Sequence, residues 1–225
     1  MNIRSLFGVI VQFVFWFLPT KLSNALRRRL FGWDLAPDAQ IGFSLFKVRH
    51  VVMYPGSVVG HFNVIRNLEI FEIGTRAQVG HFNRISGRPD VAPDYLSSIP
   101  RRSIFTLGRE SAITHRHYFD CTHSITIGDF VTIAGSHSQF WSHGLDVELC
   151  RQTALPISVG NYCMIGTRVT ILKGVSISDY CVVAAGSVVN RSLDKYVLAG
   201  GVPATKIRNL EPDLLYFTRV SGAIN

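Results

Sequence analysis

The chain has 225 residues, of which 47% are hydrophobic and 17% are charged, with 19 glycines. This composition excludes disordered and fibrous proteins and fits one or two globular domains. Its 23 basic and 15 acidic residues give a net charge of +8, which favours anionic partners such as phosphates, acidic lipids or nucleic acid. The four cysteines form no C-x-x-C pair, so the sequence favours neither a disulfide scaffold nor cysteine-bound zinc, and it points to the reducing cytosol.

Residues 1–35 are predicted to be an apolar and basic helical segment. Leu6 to Leu18 is almost wholly apolar, but a helix of this length rises only about 20 Å and would not cross a hydrocarbon core of about 30 Å. A signal peptide is one alternative, although no A-x-A-like cleavage site follows.

The basic part of this segment resembles a helix on a membrane surface. Lys21 and Arg27 to Arg29 mingle with leucines, as in a helix that lies on an anionic bilayer. We therefore predict peripheral membrane contact through residues 1–31, in a cytoplasmic protein at the inner face of the membrane. The alternative is a helix packed in the core or in an oligomer interface. Nucleic acid is not an expected partner, because no recognised binding motif accompanies the short basic cluster.

A six-residue period predicts the fold of the rest of the chain. A period of six fits neither an α-helix nor simple strand alternation, but it fits a three-sided coil in which each side takes one hexad. Stacked coils of this kind would pair as parallel β-strands. Every sixth residue is a β-branched aliphatic at Val159, Ile165, Ile171, Ile177, Val183 and Val189.

The repeat also sets the predicted domain boundaries. The β-helix is predicted over residues 36–209, followed by a C-terminal helix and tail at 210–225. Loops at 86–103 and 140–156 break the period, and such loops are where function tends to lie in a solenoid. Cys163 and Cys181 are 18 residues apart, so they are predicted to stack inside the coil as small core side chains.

Three features together resemble the hexapeptide-repeat acyltransferases: the hexads, the loop Trp141-Ser142-His143, and the tail LAGGVPATKIRNL. The resemblance is greatest to galactoside and maltose O-acetyltransferases and to bacterial polysaccharide O-acetyltransferases. It implies an all-β left-handed parallel β-helix, and a homotrimer with active sites between subunits. It also implies an acetyl-CoA-dependent O-acetyltransferase that acts on a saccharide hydroxyl of a surface polysaccharide or its precursor. The alternatives are an N-acetyltransferase for an amino-sugar nucleotide and a non-catalytic β-helix scaffold.

The same resemblance assigns His143 as the general base. An imidazole titrates near neutrality and can take the proton of a hydroxyl as its oxygen attacks a thioester. Asp146 or Glu148 is a candidate to orient the ring, and a backbone carbonyl is the alternative. The gamma-class carbonic anhydrases, which bind zinc through three histidines on the same fold, suggest a metal site instead. Their ligand spacing differs from that of His137 and His143, so we expect no metal.

The resemblance also implies residues for the donor and the acceptor. Met164 stands where sugar acetyltransferases often carry tryptophan, which argues against an aromatic contact there. For the acceptor, Trp141 and Tyr95 would stack on sugar rings, with packing as their alternative role, and Arg101 and Arg102 would favour an acidic or phosphate-bearing molecule. The implied CoA-binding residues are Gly166, Ala185, Asn190, Arg191, Lys206 and Arg208.

Overall fold

The computed structural model describes residues 11–88 and 101–224. Within these residues the chain winds through three parallel sheets, and each full turn of the coil adds one strand to each sheet. The predicted fold class, a left-handed parallel β-helix, is confirmed.

The three sheets are the three sides of the coil, with strands numbered in chain order. The first sheet contains β1 (Asp34–Leu35), β4 (His50–Met53), β7 (Ile70–Ile73), β10 (Ile104–Leu107), β13 (Ile125–Ile127), β18 (Ile157–Val159) and β21 (Ser176–Ile177). The second contains β2 (Gln40–Ile41), β5 (Val58–Val59), β8 (Gln78–Val79), β11 (Ala112–His115), β14 (Thr132–Ser136), β19 (Met164–Ile165), β22 (Val182–Val183), β24 (Val197–Gly201) and β25 (Ala204–Asn209). The third contains β3 (Leu45–Lys47), β6 (Val64–Arg66), β9 (Arg84–Gly87), β12 (Tyr118–Cys121), β15 (Gln139–Trp141), β20 (Thr170–Leu172) and β23 (Val188–Val189).

Equivalent residues of successive coils lie directly above one another. Ile165 pairs with Ile133 on one neighbouring coil and with Val183 on the other. This register stacks the inward side chains into continuous columns, because each strand bonds its backbone to the coils on both sides. Phe71 stacks on Phe105 in the first sheet, with ring centroids 5.6 Å apart, and Phe119 stacks on Phe140 in the third, at 4.6 Å. Edge contacts of 5.2–5.7 Å join the rings of the two sheets, Phe46 to Phe71 and Phe105 to Phe119.

The stacked cysteines behave as core side chains. Cys163 and Cys181 are both buried and carry free thiols. The Cys163 thiol donates to the carbonyl of Ser178 at 3.1 Å, and the Cys181 thiol donates to that of Asp194 at 2.9 Å. Each thiol therefore satisfies a backbone acceptor of the coil, as a small polar core side chain does.

The loop predicted at 140–156 contains a two-stranded antiparallel hairpin. Its strands are β16 (His143–Asp146) and β17 (Arg151–Ala154), and His143 pairs with Ala154 at the base. The hairpin leaves the coil at the corner that joins the third sheet to the first. Of the other predicted loop, 86–103, residues 89–100 lie outside the described residues.

Both ends of the coil are covered. Helix α1 (Thr20–Phe31) follows a helical stretch at 11–15 and ends at Gly32, which adopts a left-handed φ of 66°. No helix within the described ranges is long and apolar enough to cross a membrane. At the other end β24 and β25 form an antiparallel pair, and the predicted C-terminal helix is limited to α2 (Leu215–Thr218).

A buried histidine lies between two of the coils. His117 is 1% exposed, and its Nδ1 accepts a hydrogen bond from the Ser138 amide at 3.1 Å. Its Nε2 lies 2.9 Å from the hydroxyl of Thr114. Burial, together with the nearby His115 and His137, lowers the pKa of His117 from 6.5 to about 4. The folded chain therefore holds this ring neutral.

Acid should destabilise the protein through this histidine. In the unfolded chain His117 binds a proton as the pH falls below 6.5, whereas in the folded chain it does so only near pH 4. The free energy of unfolding therefore falls as the pH is lowered from 6.5 to about 4. The full effect is about 3 kcal/mol at its limit. Urea unfolding of the wild type and His117→Gln across this range would measure it, and the variant should show the shallower slope. His137→Gln removes only the smallest of the causes that lower the pKa of His117, so its slope should stay much closer to that of the wild type than the slope of His117→Gln does. Equal slopes for all three proteins would contradict the assignment.

Candidate active site

The candidate site lies at the corner that joins the third sheet to the first. Strands β15, β20 and β23 of the third sheet end there on successive coils. Trp141 pairs with Leu172, and Ile171 pairs with Val189. This register aligns three segments along one corner of the coil: Ser142–His143, Lys173 and Asn190–Arg191.

His143 contacts a buried carboxylate. The Nδ1 atom of its ring hydrogen-bonds to the Oδ2 atom of Asp120, which precedes it by 23 residues on the neighbouring coil. The side chain of His143 is 37% exposed, whereas that of Asp120 is only 6% exposed. A carboxylate at Nδ1 selects the tautomer that carries its proton there, which leaves the Nε2 lone pair free to act as a base.

Strand alternation explains why Asp120 occupies this position. Its neighbours Phe119 and Cys121 belong to the core, so the side chain of Asp120 leaves the outer face of β12 and is covered by the hairpin. Its Oδ1 atom accepts bonds from the amide of Thr122 at 3.0 Å and from the Thr122 hydroxyl at 2.7 Å. The buried carboxylate thus has a partner on each oxygen, as a buried charge requires.

The structure corrects the prediction for the orienting acid. Asp146 accepts a bond from the Leu149 amide at 3.0 Å and lies 3.9 Å from the guanidinium of Arg151, within the hairpin itself. Glu148 is exposed near the hairpin tip. Both residues follow His143 closely in sequence, but the extended hairpin carries them away from its ring. Asp120 contacts the ring instead, because the coil register places it beside the base of the hairpin.

Three contacts fix the hairpin to the coil, and a fourth closes the base of the hairpin. The hydroxyl of Ser142 accepts a bond from the His123 amide at 2.8 Å, and the Ser142 carbonyl accepts one from the Leu155 amide at 2.9 Å. Arg88 donates to the side chain of Gln152 at 3.1 Å, and Lys173 donates to the hydroxyl of Thr153. His143 therefore stands on an anchored base, which holds its ring in one position.

Aromatic side chains border the histidine. The ring of Trp141 lies 6.5 Å from that of His143 and 4.9 Å from that of Tyr118. The indole nitrogen donates to Gln139 at 2.9 Å. Trp141 is half-buried, and Arg84 lies 5.7 Å above the Tyr118 ring. The outer face of the third sheet thus offers flat rings next to a base.

The other predicted acceptor residues lie in different surroundings. Tyr95 lies outside the described residues. Arg102 forms an ion pair with Glu69 at 2.7 Å, and this bond lowers the pKa of the Glu69 carboxyl. Arg101 lies near His123, whose pKa is lowered by burial first and by the charge of Arg101 second. The His123 amide bonds to Ser142, so Arg101 lies near the base of the hairpin, whereas Glu69, the partner of Arg102, lies at the same corner on an earlier coil.

The predicted CoA-binding residues fall on two different corners. Asn190 and Arg191 lie exposed on the His143 corner, two coils beyond the hairpin. Gly166 and Ala185 lie at the corner between the second and third sheets, where a Cβ on Gly166 would come within 2.7 Å of the Ala185 nitrogen. Two further predicted residues, Lys206 and Arg208, lie exposed on β25 at the end of the second sheet.

Three of the other histidines form a stack that bonds to the backbone of neighbouring coils. The rings of His61, His81 and His115 stack 5.2–5.3 Å apart, each on its own coil. Each Nδ1 accepts a bond from a backbone amide of the preceding coil, at 2.8–3.1 Å. In the part of the chain that the structure describes, no three His, Cys, Asp or Glu side chains are grouped to hold a metal ion.

Sequence reasoning missed Asp120 and Lys173. Asp120 carries a sequence signal, because it is the only charged residue in the strand Tyr118–Cys121, and a lone carboxylate in such a strand needs a partner. Lys173 follows the hexad Ile171 without any distinguishing pattern. Its position beside the hairpin is visible only from the register of the coils.

Comparisons with known proteins agree with the hexapeptide repeat. The family model described as the hexapeptide repeat of succinyl-transferase matches residues 156–191. The galactoside O-acetyltransferase of Escherichia coli (strain K12) is 37% identical over 92 residues, which are 39% of this chain and 45% of that protein. A putative acetyltransferase of Saccharomyces cerevisiae is 41% identical over 71 residues, 30% of this chain and 36% of that protein. The chain spans less than half the length of these curated relatives.

Solved structures of similar proteins include two with a bound coenzyme. A hexapeptide-repeat acetyltransferase of Vibrio cholerae O1 biovar eltor, complexed with acetyl coenzyme A, has 22% identity and a TM-score of 0.49, covering 92% of this chain and 87% of that one. A galactoside acetyltransferase in complex with coenzyme A has 17% identity and a TM-score of 0.48, covering 99% and 88%.

Proposed function

We propose that this hexapeptide-repeat protein is an acetyl-CoA-dependent O-acetyltransferase that acts on a saccharide hydroxyl of a surface polysaccharide or its precursor. The observation that carries the proposal is the hydrogen bond between His143 and the buried Asp120, beside the aromatic face of Trp141. The sequence similarity to the galactoside O-acetyltransferase supports the reaction class. We also propose a cytoplasmic location, since four free cysteines suit a reducing compartment.

The proposed mechanism uses His143 as the general base. Asp120 holds the Nδ1 proton, and Nε2 takes the proton of the acceptor hydroxyl as its oxygen attacks the thioester carbonyl of acetyl-CoA. The tetrahedral intermediate then expels the CoA thiolate, which recovers the proton from Nε2 and leaves as the thiol. The acetyl group passes directly to the sugar oxygen, because a thioester is already activated and needs no enzyme nucleophile.

The split of the predicted donor residues supports a homotrimer. Gly166 and Ala185 lie at one corner of the coil, whereas His143 lies at another, so one chain does not bring them together. Side-by-side packing of subunits would place the first corner of one subunit against the His143 corner of its neighbour. In that arrangement Lys173 and Arg191 of the His143 corner would face the phosphates of CoA, which guanidinium and ammonium groups bind well.

The aromatic border suits a sugar acceptor. The rings of Trp141 and Tyr118 present flat apolar faces beside His143, and sugar rings stack on such faces. Arg101 on the same side adds a positive charge, which would favour an acceptor that carries a carboxylate or a phosphate.

Removal of the base should abolish turnover while the fold persists. His143→Ala should lower kcat by about 10²–10⁴-fold with little change in the KM for acetyl-CoA, the usual contribution of a positioned general base. Thiol release from acetyl-CoA, measured against a panel of nucleotide sugars and lipid-linked glycans, would test this. The exposed His137→Ala is the matched control and should retain activity. Undiminished turnover in His143→Ala would instead favour the scaffold alternative.

Asp120 should act as a positioning residue through His143. Asp120→Asn keeps the size of the side chain but removes the charge that selects the tautomer, and should lower kcat by about 10–100-fold at unchanged KM for both substrates. Asp146→Asn, which alters a carboxylate within the hairpin, should stay near the wild-type rate. Steady-state kinetics of the wild type and the two variants would measure kcat and KM separately. A change in KM without a fall in kcat would contradict the positioning role.

Two charge removals would show which corner binds the CoA phosphates. Arg191→Gln on the His143 corner and Lys206→Gln on β25 each remove one exposed cation. If the His143 corner of one subunit meets β25 of its neighbour at a seam, each variant should raise the KM for acetyl-CoA several-fold without changing kcat. Isothermal titration with CoA is a direct measure. Unaltered CoA affinity in both variants would contradict the proposed donor site.

A further inference from the structure

The N-terminal cap, defined as residues 11–31, buries polar side chains and exposes apolar ones. Gln12, Ser23, Asn24 and Arg27 are each at most 4% exposed. In contrast, the apolar side chains on its outer side are between 46% and 79% exposed: Phe13, Val14, Phe17, Leu22 and Leu30. A surface helix of a water-soluble domain has the opposite arrangement, with its apolar stripe toward the core.

The open edge of the first coil explains the inward polar face. The strands of that coil have no preceding coil to bond to, and their backbone groups need partners. Gln12 donates to the carbonyl of Phe46 at 2.8 Å and accepts from its amide at 2.9 Å. Asn24 donates to the carbonyls of Ala36 and Ala39, at 3.1 and 2.7 Å. The cap therefore turns its hydrogen-bonding side chains inward together with Phe15, which is 5% exposed, and leaves most of its other apolar side chains outside.

The outward side chains form an aromatic group and a row of leucines on α1. Phe13 packs on Trp16 at 4.3 Å between ring centroids, and Phe43 of the first coil lies 5.3 Å from Trp16 and 6.2 Å from Phe17. On α1 the leucines recur at i, i+4 and i+8, a spacing that places them along one side of the helix. These leucines are Leu22, Leu26 and Leu30.

Positive charge borders this surface. The first 33 residues contain five basic residues and no acidic one, since Asp34 is the first carboxylate of the chain. Of these, Lys21, Arg28 and Arg29 are exposed on α1 beside the leucines. A second copy of the chain is a poor occupant, because face-to-face contact would bring the two sets of cations together. An anionic surface with an apolar interior satisfies both features.

We propose that residues 11–31, with Phe43, are a docking surface for an anionic lipid bilayer. The rings of Phe13 and Phe17 and the leucines of α1 would enter the boundary between headgroups and acyl chains, and Lys21 and Arg29 would bind lipid phosphates. The docked cap lies in the interface and leaves the coil in water. This docking is independent of the acetyltransferase activity, and its test does not measure turnover.

Co-sedimentation of the full chain with vesicles tests the proposal. The wild type should sediment with vesicles of phosphatidylglycerol mixed with phosphatidylcholine and stay in solution with phosphatidylcholine alone. Phe17→Ser/Leu22→Ser/Leu30→Ser should weaken binding by about tenfold or more, and Lys21→Gln/Arg29→Gln should do the same. The matched control Leu215→Ser/Val220→Ser removes two side chains that are 88% and 89% exposed near the other end of the chain, and should bind as the wild type does.

Four results would overturn the proposal. The wild type could fail to bind the anionic vesicles, or it could bind both vesicle types equally. The apolar triple variant could bind as strongly as the wild type, or the control variant could lose as much vesicle binding as the triple variant. Sedimentation equilibrium without lipid tests whether a second copy of the chain covers the surface instead. If the wild type self-associates and the triple variant does not, a second copy is the occupant and the bilayer proposal fails. Every substituted side chain is exposed, so each variant should keep the fold. Thermal unfolding of each variant checks this.

Discussion

Backbone hydrogen bonding between successive coils is the constraint on which the rest of the structure depends. The partner of a strand is the strand one full turn away, so a residue's neighbours in space are fixed by the turn and not by adjacency in sequence. Met164 bonds to Cys181 across 17 residues, and Gly60 bonds to Val79 across 19. The same rule places Trp141 against Asp120 and so brings His143 to its carboxylate. The candidate site is a product of this register, because the hairpin leaves the coil directly beyond the strand that covers β12.

The period of the hydrophobic residues was enough to predict the fold but not the site. From Val159 onward the hexads are uninterrupted, and each aliphatic there lies where the repeat places it. Upstream, insertions change the length of each turn, so counting from the sequence does not reveal that Asp120 lies beside residue 143. The sequence therefore proposed His143 through the family's loop, but offered only the nearest carboxylates, Asp146 and Glu148, or a backbone carbonyl as its partner. Hairpin pairing separates those carboxylates from the ring, and nothing in their spacing signals that it would.

The two ends of the solenoid deal with their open edges differently, and this difference has consequences for function. At the C-terminal end β25 pairs antiparallel with β24. At the N-terminal end side-chain amides from a helical cap replace a strand, and this substitution turns the cap's polar face inward. Composition alone showed that residues 1–31 are apolar and basic, which fits a core helix as well as a membrane helix. Only the contacts of Gln12 and Asn24 show which face is buried.

The regular spacing of the coils gives the distance between the cap and the hairpin that carries His143. The cap lies on the first coil, and β15, which leads into His143, is the fifth strand of the third sheet from that end. With coils about 4.8 Å apart, His143 would stand roughly 19 Å along the coil axis from the first coil. If the coil axis of a docked chain stands along the bilayer normal, an acceptor attached to lipid would have to extend that far before its hydroxyl reaches His143.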